Sequence, residues 1–369
     1  MKNQKINQRF QNLRIVLAIA WKDILEGWKN KVILSSILTG IFLVAFYTYL
    51  PDLTRGDELP LLVIYDPEEY IDNEDTVNIF DFNHRVESDE DIFLYELRDL
   101  ETPVIGVKLE QDPHQSQSVS PMILQGFTPY WMKSSQVEDI KNSAEETLGT
   151  ILKTPIEIKT DGNIVYPLMD NYAYGKTFVT TTGLLIQLAL LGLSMAPQLI
   201  VEEKDTRTLQ AIVVSPANLM HFILGKTLAV LFYTTITSII GLIFVGHLVI
   251  HWGLVLLSLL IGMLTLIFPG ILLGVLLKSK QQIQIWVWVM FIPIILPIFF
   301  SVVRILPDRI MKFIDWWPTV ALARLLRAGF TLNPPLNTYG REALYLFSLS
   351  LVVLFITLQI INKQMVKGD

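Results

Sequence analysis

The chain has no cysteine among its 369 residues. Disulfides, thiolate metal sites and a cysteine nucleophile are therefore excluded. Charge is also scarce. Only 17% of residues are Asp, Glu, Lys or Arg, against about 25% in an ordinary soluble protein. A phosphate-binding glycine loop is missing as well. Two Gly-Lys-Thr strings occur, Gly175–Thr177 and Gly225–Thr227, but Asp170 and Met220 stand where the first glycine of a P-loop belongs. Without that loop no row of backbone N–H groups can cradle phosphate. There is no His-Glu-x-x-His string and no evident Ser-His-Asp set. His247 and His251 share an i, i+4 spacing that suits a metal, yet histidines at a membrane interface produce the same spacing. The chain is expected to catalyse nothing, to hold no metal or cofactor of its own, and to bind no nucleic acid.

Apolar sequence is what the chain has in excess. Hydrophobic residues make up 51%, and they gather in runs long enough to cross a bilayer, which takes about 20 residues. Six such runs can be read: Val32–Leu50, Phe178–Val201, Phe222–Ile250, Gly253–Leu277, Ile283–Val303 and Ala343–Ile361. The first begins too far from the N-terminus, and lacks the small-residue site after it, to be a cleavable signal. Lipid bilayer is thus the expected surrounding, and the fold class is an α-helical integral membrane protein of six transmembrane helices.

The net charge of −6 hides a division. Residues 51–176 carry 26 acids and 9 bases, while the remainder carries 9 acids and 20 bases. The acidic block is long enough for a domain of its own. Its β-rich runs at 59–66, 103–110 and 120–127 alternate with helix-patterned stretches at 89–101 and 134–152. A mixed α/β domain over 51–177 is expected. Bases cluster beside the spans: seven in residues 1–31, then Lys204 and Arg207, Lys278 and Lys280, and Lys363 and Lys367. With six spans all of these fall on one side, which the positive-inside rule makes cytoplasmic. Both termini, including the tail 363–369, are then cytoplasmic, and 51–177 is extracellular.

Residues 1–31 suggest an amphipathic helix lying in the membrane surface, with Phe10, Leu13, Leu17, Ala20 or Trp21, Ile24 and Trp28 at helical spacing. The part from 178 to 362 holds five spans. Polar residues recur inside two of them: Thr181, Gln187, Ser194 and Gln198 in the second, Thr234 and Thr237 in the third. They suit helix–helix hydrogen bonding or a partly polar path for cargo.

Between the second and third spans lies "VEEKDTRTLQAIVVSPANLMHFILGK". Ser215 can cap a helix that opens on Pro216. The stretch resembles the signature of type-2 ATP-binding-cassette exporter permeases. That signature has a Glu-Lys-Glu-x-Gly-Thr-Leu-Glu run, a Ser-Pro or Thr-Pro, and a Gly-Lys opening the third span. Glu203-Lys204-Asp205, Thr208-Leu209, Ser215-Pro216 and Gly225-Lys226 match it, while Arg207 replaces the glycine and Gln210 the last glutamate. The resemblance implies that 202–215 is a coupling helix, with Glu202, Glu203, Lys204, Asp205, Arg207, Thr208, Leu209, Ser215 and Pro216 meeting a separate ATPase subunit that holds ATP and Mg. It also implies a second permease, identical or related, and efflux of a drug, antibiotic, lipid-like or peptide cargo, or of sodium or another ion. A membrane-anchored ligand sensor is the alternative of another class. For "PDRIMKFIDWWPTVALARLLRAGF" (307–330), the resemblance implies a re-entrant outer segment, with Trp316, Trp317 and Pro318 at an outer gate.

Overall fold

The computed structural model describes residues 2–54, 59–68, 70–71, 82–99, 103–109, 121–167, 176–205 and 219–367. They fall into two compact units. One comprises Met1–Tyr47, Thr180–Gly329 and Pro334–Asp369, the other Thr48–Val179 and Phe330–Asn333.

The first unit is a bundle of helices. An amphipathic helix α1 (Lys2–Gly27) turns at Asn30 into α2 (Lys31–Thr54). Asn30 makes that turn possible, because its side-chain oxygen accepts the N–H of Val32 at 3.0 Å and so caps α2. Then follow α5 (Lys176–Asp205), α6 (Leu219–Val245), α7 (Trp252–Leu276) and α8 (Lys280–Val303). Two short helices come next, α9 (Asp308–Asp315) and α10 (Pro318–Arg327), and the long α11 (Leu336–Lys367) ends the chain. Among the described residues, six helices are long and apolar enough to cross a membrane: α2, α5, α6, α7, α8 and α11. The third candidate span runs from Met220 to Leu248 and closes in a short 3-10 turn, slightly earlier at each end than the sequence pattern suggests.

α5 is the central helix. Within its apolar window 89% of residues are buried, against 22% in α2, α8 and α11. Small residues let α7 approach it closely. A Cβ on Gly270 would collide with the carbonyl oxygen of Gly192, and one on Gly274 would sit 2.7 Å from the Cα of Pro197. Backbone-to-backbone approach of this kind is how helices gain packing where lipid supplies no hydrophobic drive.

The second unit is a mixed α/β domain. Its strands are β1 (Leu61–Tyr65), β2 (Asn83–Glu87), β3 (Val104–Lys108), β4 (Met122–Pro129), β5 (Ile156–Lys159) and β6 (Ile164–Val165). The sheet order is β2-β1-β3-β4-β5, with β6 beside β4. β1 pairs in parallel with both β2 and β3, and β4 runs antiparallel to β3. Strand alternation divides the core. Leu62, Ile64, Ile105 and Val107 face α4 (Ser134–Leu152) through Ala144, Leu148 and Leu152. Leu61, Val63 and Val104 face α3 (Glu90–Asp99) through Phe93 and Leu97. Of the three strands that the pattern did not suggest, β2 and β5 are the sheet edges and the two-residue β6 pairs only with the end of β4. An edge strand needs no continuous apolar run, and "NHRVE" has none.

Candidate functional site: a charged junction at the end of α5

α5 ends at Asp205 and α6 begins at Leu219. Arg207, Thr208, Leu209, Ser215 and Pro216 lie between them, outside the described residues. What the structure gives is the pair of helix ends that this segment joins.

Lys226, two turns into α6, is the centre. Its Nζ donates to Glu203 Oε1 at 2.9 Å and to Asp23 Oδ1 at 2.8 Å. Lys22 Nζ donates to the same Glu203 oxygen at 3.0 Å. The Lys226 side chain is 1% exposed, Asp23 2% and Glu203 8%, so these are buried charges. A buried charge survives only when paired and hydrogen-bonded, and here one ammonium serves α1, α5 and α6 together. Asp23 is the least satisfied member, since its Oδ2 has no hydrogen-bond partner. Burial pushes the Asp23 carboxyl above its ordinary range, and the attraction of Lys226 only partly offsets that. Burial works against the Lys22 ammonium too, but the hydrogen bond and charge of Glu203 outweigh it and raise its pKa.

The residues next to Glu203 reach other helices. Lys204 Nζ donates to the carbonyls of Gly274 at 2.9 Å and Leu277 at 3.0 Å, and also to that of Val275. These are carbonyls of the last turn of α7, the negative end of its dipole, where a cation is favoured. Glu202 accepts from Asn30 Nδ2 at 3.4 Å and lies 3.6 Å from Lys280 Nζ at the start of α8. Asp205 is exposed. Glu203 and Lys204, expected from the sequence to face a partner, are thus engaged inside the chain.

Asp23 and Lys226 were missed as site residues. The signal was present: Asp23 falls on the stripe Val16, Ala20, Ile24 and Gly27 that is buried in the structure. The expected stripe of α1 is split. Ala20 and Ile24 face protein, whereas Leu13, Leu17, Trp21 and Trp28 are exposed. α1 lies so close to α6 that a Cβ on Gly225 would meet Ile19 at 2.6 Å, and one on Gly27 would meet the Tyr233 hydroxyl at 2.5 Å. Tyr233 donates to the carbonyl of Ile24 across the same contact.

The interior polar residues are all buried. Gln187 Nε2 donates to the carbonyl of Thr237 at 2.8 Å, in a space left by Gly40 and Gly241. Ser194 lies 3.3 Å from Ser36 of α2, oxygen to oxygen. Thr234 and Thr237 donate to the carbonyls of Val230 and Tyr233 in their own helix. Thr181 and Gln198 are buried as well.

At the opposite end of α7, α9 and α10 form a hairpin broken at Trp316 and Trp317, with Pro318 in the first turn of α10. Trp317 Nε1 donates to the carbonyl of Pro293 at 2.6 Å. That carbonyl is the one Pro297 leaves without a helical donor, so the tryptophan completes α8. Trp316 is exposed, and its carbonyl accepts from Tyr345 at 2.9 Å. Arg324 lies 3.7 Å from Asp315 and 3.1 Å from Glu342, and Arg304 lies 3.7 Å from Asp315. Arg304 and Arg324 are therefore paired locally with carboxylates. No group of three or more potential metal ligands occurs among the described residues.

Six apolar helices, an α/β insertion between the first two and a charged junction after the second meet a direct comparison. The family model for ABC-2 family transporter proteins matches residues 31–358. The chain belongs to this family. It is an ABC-2 type permease, the membrane component of an ABC transporter, multi-pass and not itself catalytic. Neither curated proteins nor solved structures give a match.

Proposed function

We propose that this ABC-2 permease is half of an exporter, and that the segment after α5 receives the movement of a separate ATPase subunit. The observation that carries this is the junction itself. Glu202, Glu203 and Lys204 tie the end of α5 to the α1–α2 corner, α6, α7 and α8. A displacement applied between Asp205 and Leu219 is then shared by every helix whose end meets there. Arg207, Thr208, Leu209, Ser215 and Pro216 supply the docking surface, and Glu203 and Lys204 pass the movement inward. ATP and Mg belong to the partner subunit. A second permease, identical or related, completes the pathway.

The charge distribution supports a plasma-membrane setting with cytoplasmic termini and the α/β domain outside. The hairpin of α9 and α10 then dips in from the outer face as a gate around Trp316, Trp317 and Pro318. An amphipathic cargo fits an interior whose polar groups are amides and hydroxyls. The test is binding of the cognate ATPase subunit to the full chain in lipid vesicles. Arg207→Ala with Leu209→Ala should weaken it by about tenfold or more, the effect of losing about 1.4 kcal/mol of contact. Equal binding by the wild type and this variant would overturn the assignment.

A further inference from the structure

We propose that α1 is an anionic-lipid-reading arm, and that the lipid it binds sets how firmly the junction is held. The helix has two faces. One is spent on protein: Val16, Ala20, Asp23 and Gly27 face inward, with Asp23 on Lys226. The other is an uncovered apolar stripe of Leu13, Leu17, Trp21, Leu25 and Trp28, each at least half exposed. The spacing of four, four, four and three keeps it in line along the helix.

Charge says what covers this stripe. Residues 1–31 hold seven bases and two acids. Both acids are engaged internally, Asp23 with Lys226 and Glu26 with Lys22 at 3.9 Å. Exposed Arg14 borders Leu17 and Trp21, and exposed Lys29 and Lys31 follow Trp28. An apolar stripe edged by bases and facing away from the protein fits a membrane surface of anionic headgroups. Neutral lipid would take the stripe but leave the bases without counter-charge.

The same helix grips the junction at two points. Asp23 holds Lys226 on α6, and Lys22 holds Glu203 on α5. Lys22 and Asp23 are adjacent, so α1 cannot leave its place without releasing both. Lipid that seats α1 thus strengthens both grips at once.

The full chain without any ATPase, in nanodiscs of phosphatidylcholine or of phosphatidylcholine with phosphatidylglycerol, tests this. Because both leaflets are alike, membrane orientation does not matter. Failure here also leaves the coupling proposal standing. A nitroxide at Leu17→Cys reports depth, and hydrogen exchange over residues 219–226 reports the junction. Anionic lipid should deepen the label and slow exchange by about fivefold, the equivalent of the ~1 kcal/mol that one Lys or Arg gains at an anionic surface. Arg14→Gln with Lys29→Gln and Lys31→Gln should abolish both responses, and high salt should weaken them. Identical depth and exchange in the two lipids would overturn the proposal. So would a response that survives in the triple variant, since these bases would then not be reading the lipid. A change in depth with no change in exchange would make α1 a plain anchor and overturn it equally.

Discussion

The bundle holds charge at both ends of α7, in two different ways. At the α5–α6 end the ammonium of Lys226 sits almost wholly out of solvent between two carboxylates from two other helices. At the hairpin end Arg304, Arg324 and Arg341 share Asp315 and Glu342, and four of those five side chains keep at least 17% of their surface. A guanidinium network offers several donors and stays wet, so losing one contact leaves others. Loss of the single buried ammonium leaves the Asp23 carboxylate without a cation and Glu203 with Lys22 alone. The arginine network tolerates rearrangement, and the buried ammonium resists it until its partners move together.

Lys226→Met is therefore the harshest way to break the comparison. It strands Asp23 and leaves Glu203 with Lys22 alone, and removal of one partner of a buried ion set costs about 3–5 kcal/mol. Thermal unfolding of the full chain in detergent should show a large drop, or no folded protein should accumulate. Asp23→Asn with Lys226→Met should recover part of the loss. A decrease no larger than that at the hairpin would erase the distinction. Arg324→Ala comes next. It removes charge-assisted bonds to Asp315 and Glu342, each worth about 1.5–3 kcal/mol at most, with Arg304 and Arg341 left to compensate. The loss should shrink as salt is added, whereas that of Lys226→Met should not.

The smallest effect sharpens the comparison through pH. The Asp23 carboxyl is raised in the folded chain above its ordinary value of 3.8. The fold then binds this proton more tightly than the unfolded chain, so Asp23 makes stability fall as pH rises between 3.8 and the folded pKa. Acidification through that window should return the lost stability, with no further gain below it. The difference in stability between wild type and Asp23→Asn, followed against pH, isolates this contribution. A slope of opposite sign would mean that Lys226 dominates over burial.

The spans were legible because six long apolar runs can hardly mean anything else, and the charged stretch after the second carried the family resemblance. The α/β domain was legible where strands are central: β1, β3 and β4 alternate or run apolar, whereas β2 announces nothing because an edge needs little. The junction was half legible. Glu203 and Lys204 stood out by composition, but their direction did not. Whether a carboxylate at a helix end points outward or inward depends on a lysine 23 positions later and an aspartate 180 positions earlier. No local pattern encodes such pairings. The faces of α1 were ambiguous for a related reason. In a membrane both faces of a helix can be apolar, so hydrophobicity does not say which one meets protein.

The contact of Gly270 with the Gly192 carbonyl has a mechanical consequence. Two backbones in touch cannot rotate past one another, because any roll drives a side chain into the other's peptide. α5 and α7 must behave as one stiff keel, with Lys204 pinned across its end. Shape change during a transport cycle then falls to joints away from this contact. The keel turns as a piece, and the outer helices ride or slip against it.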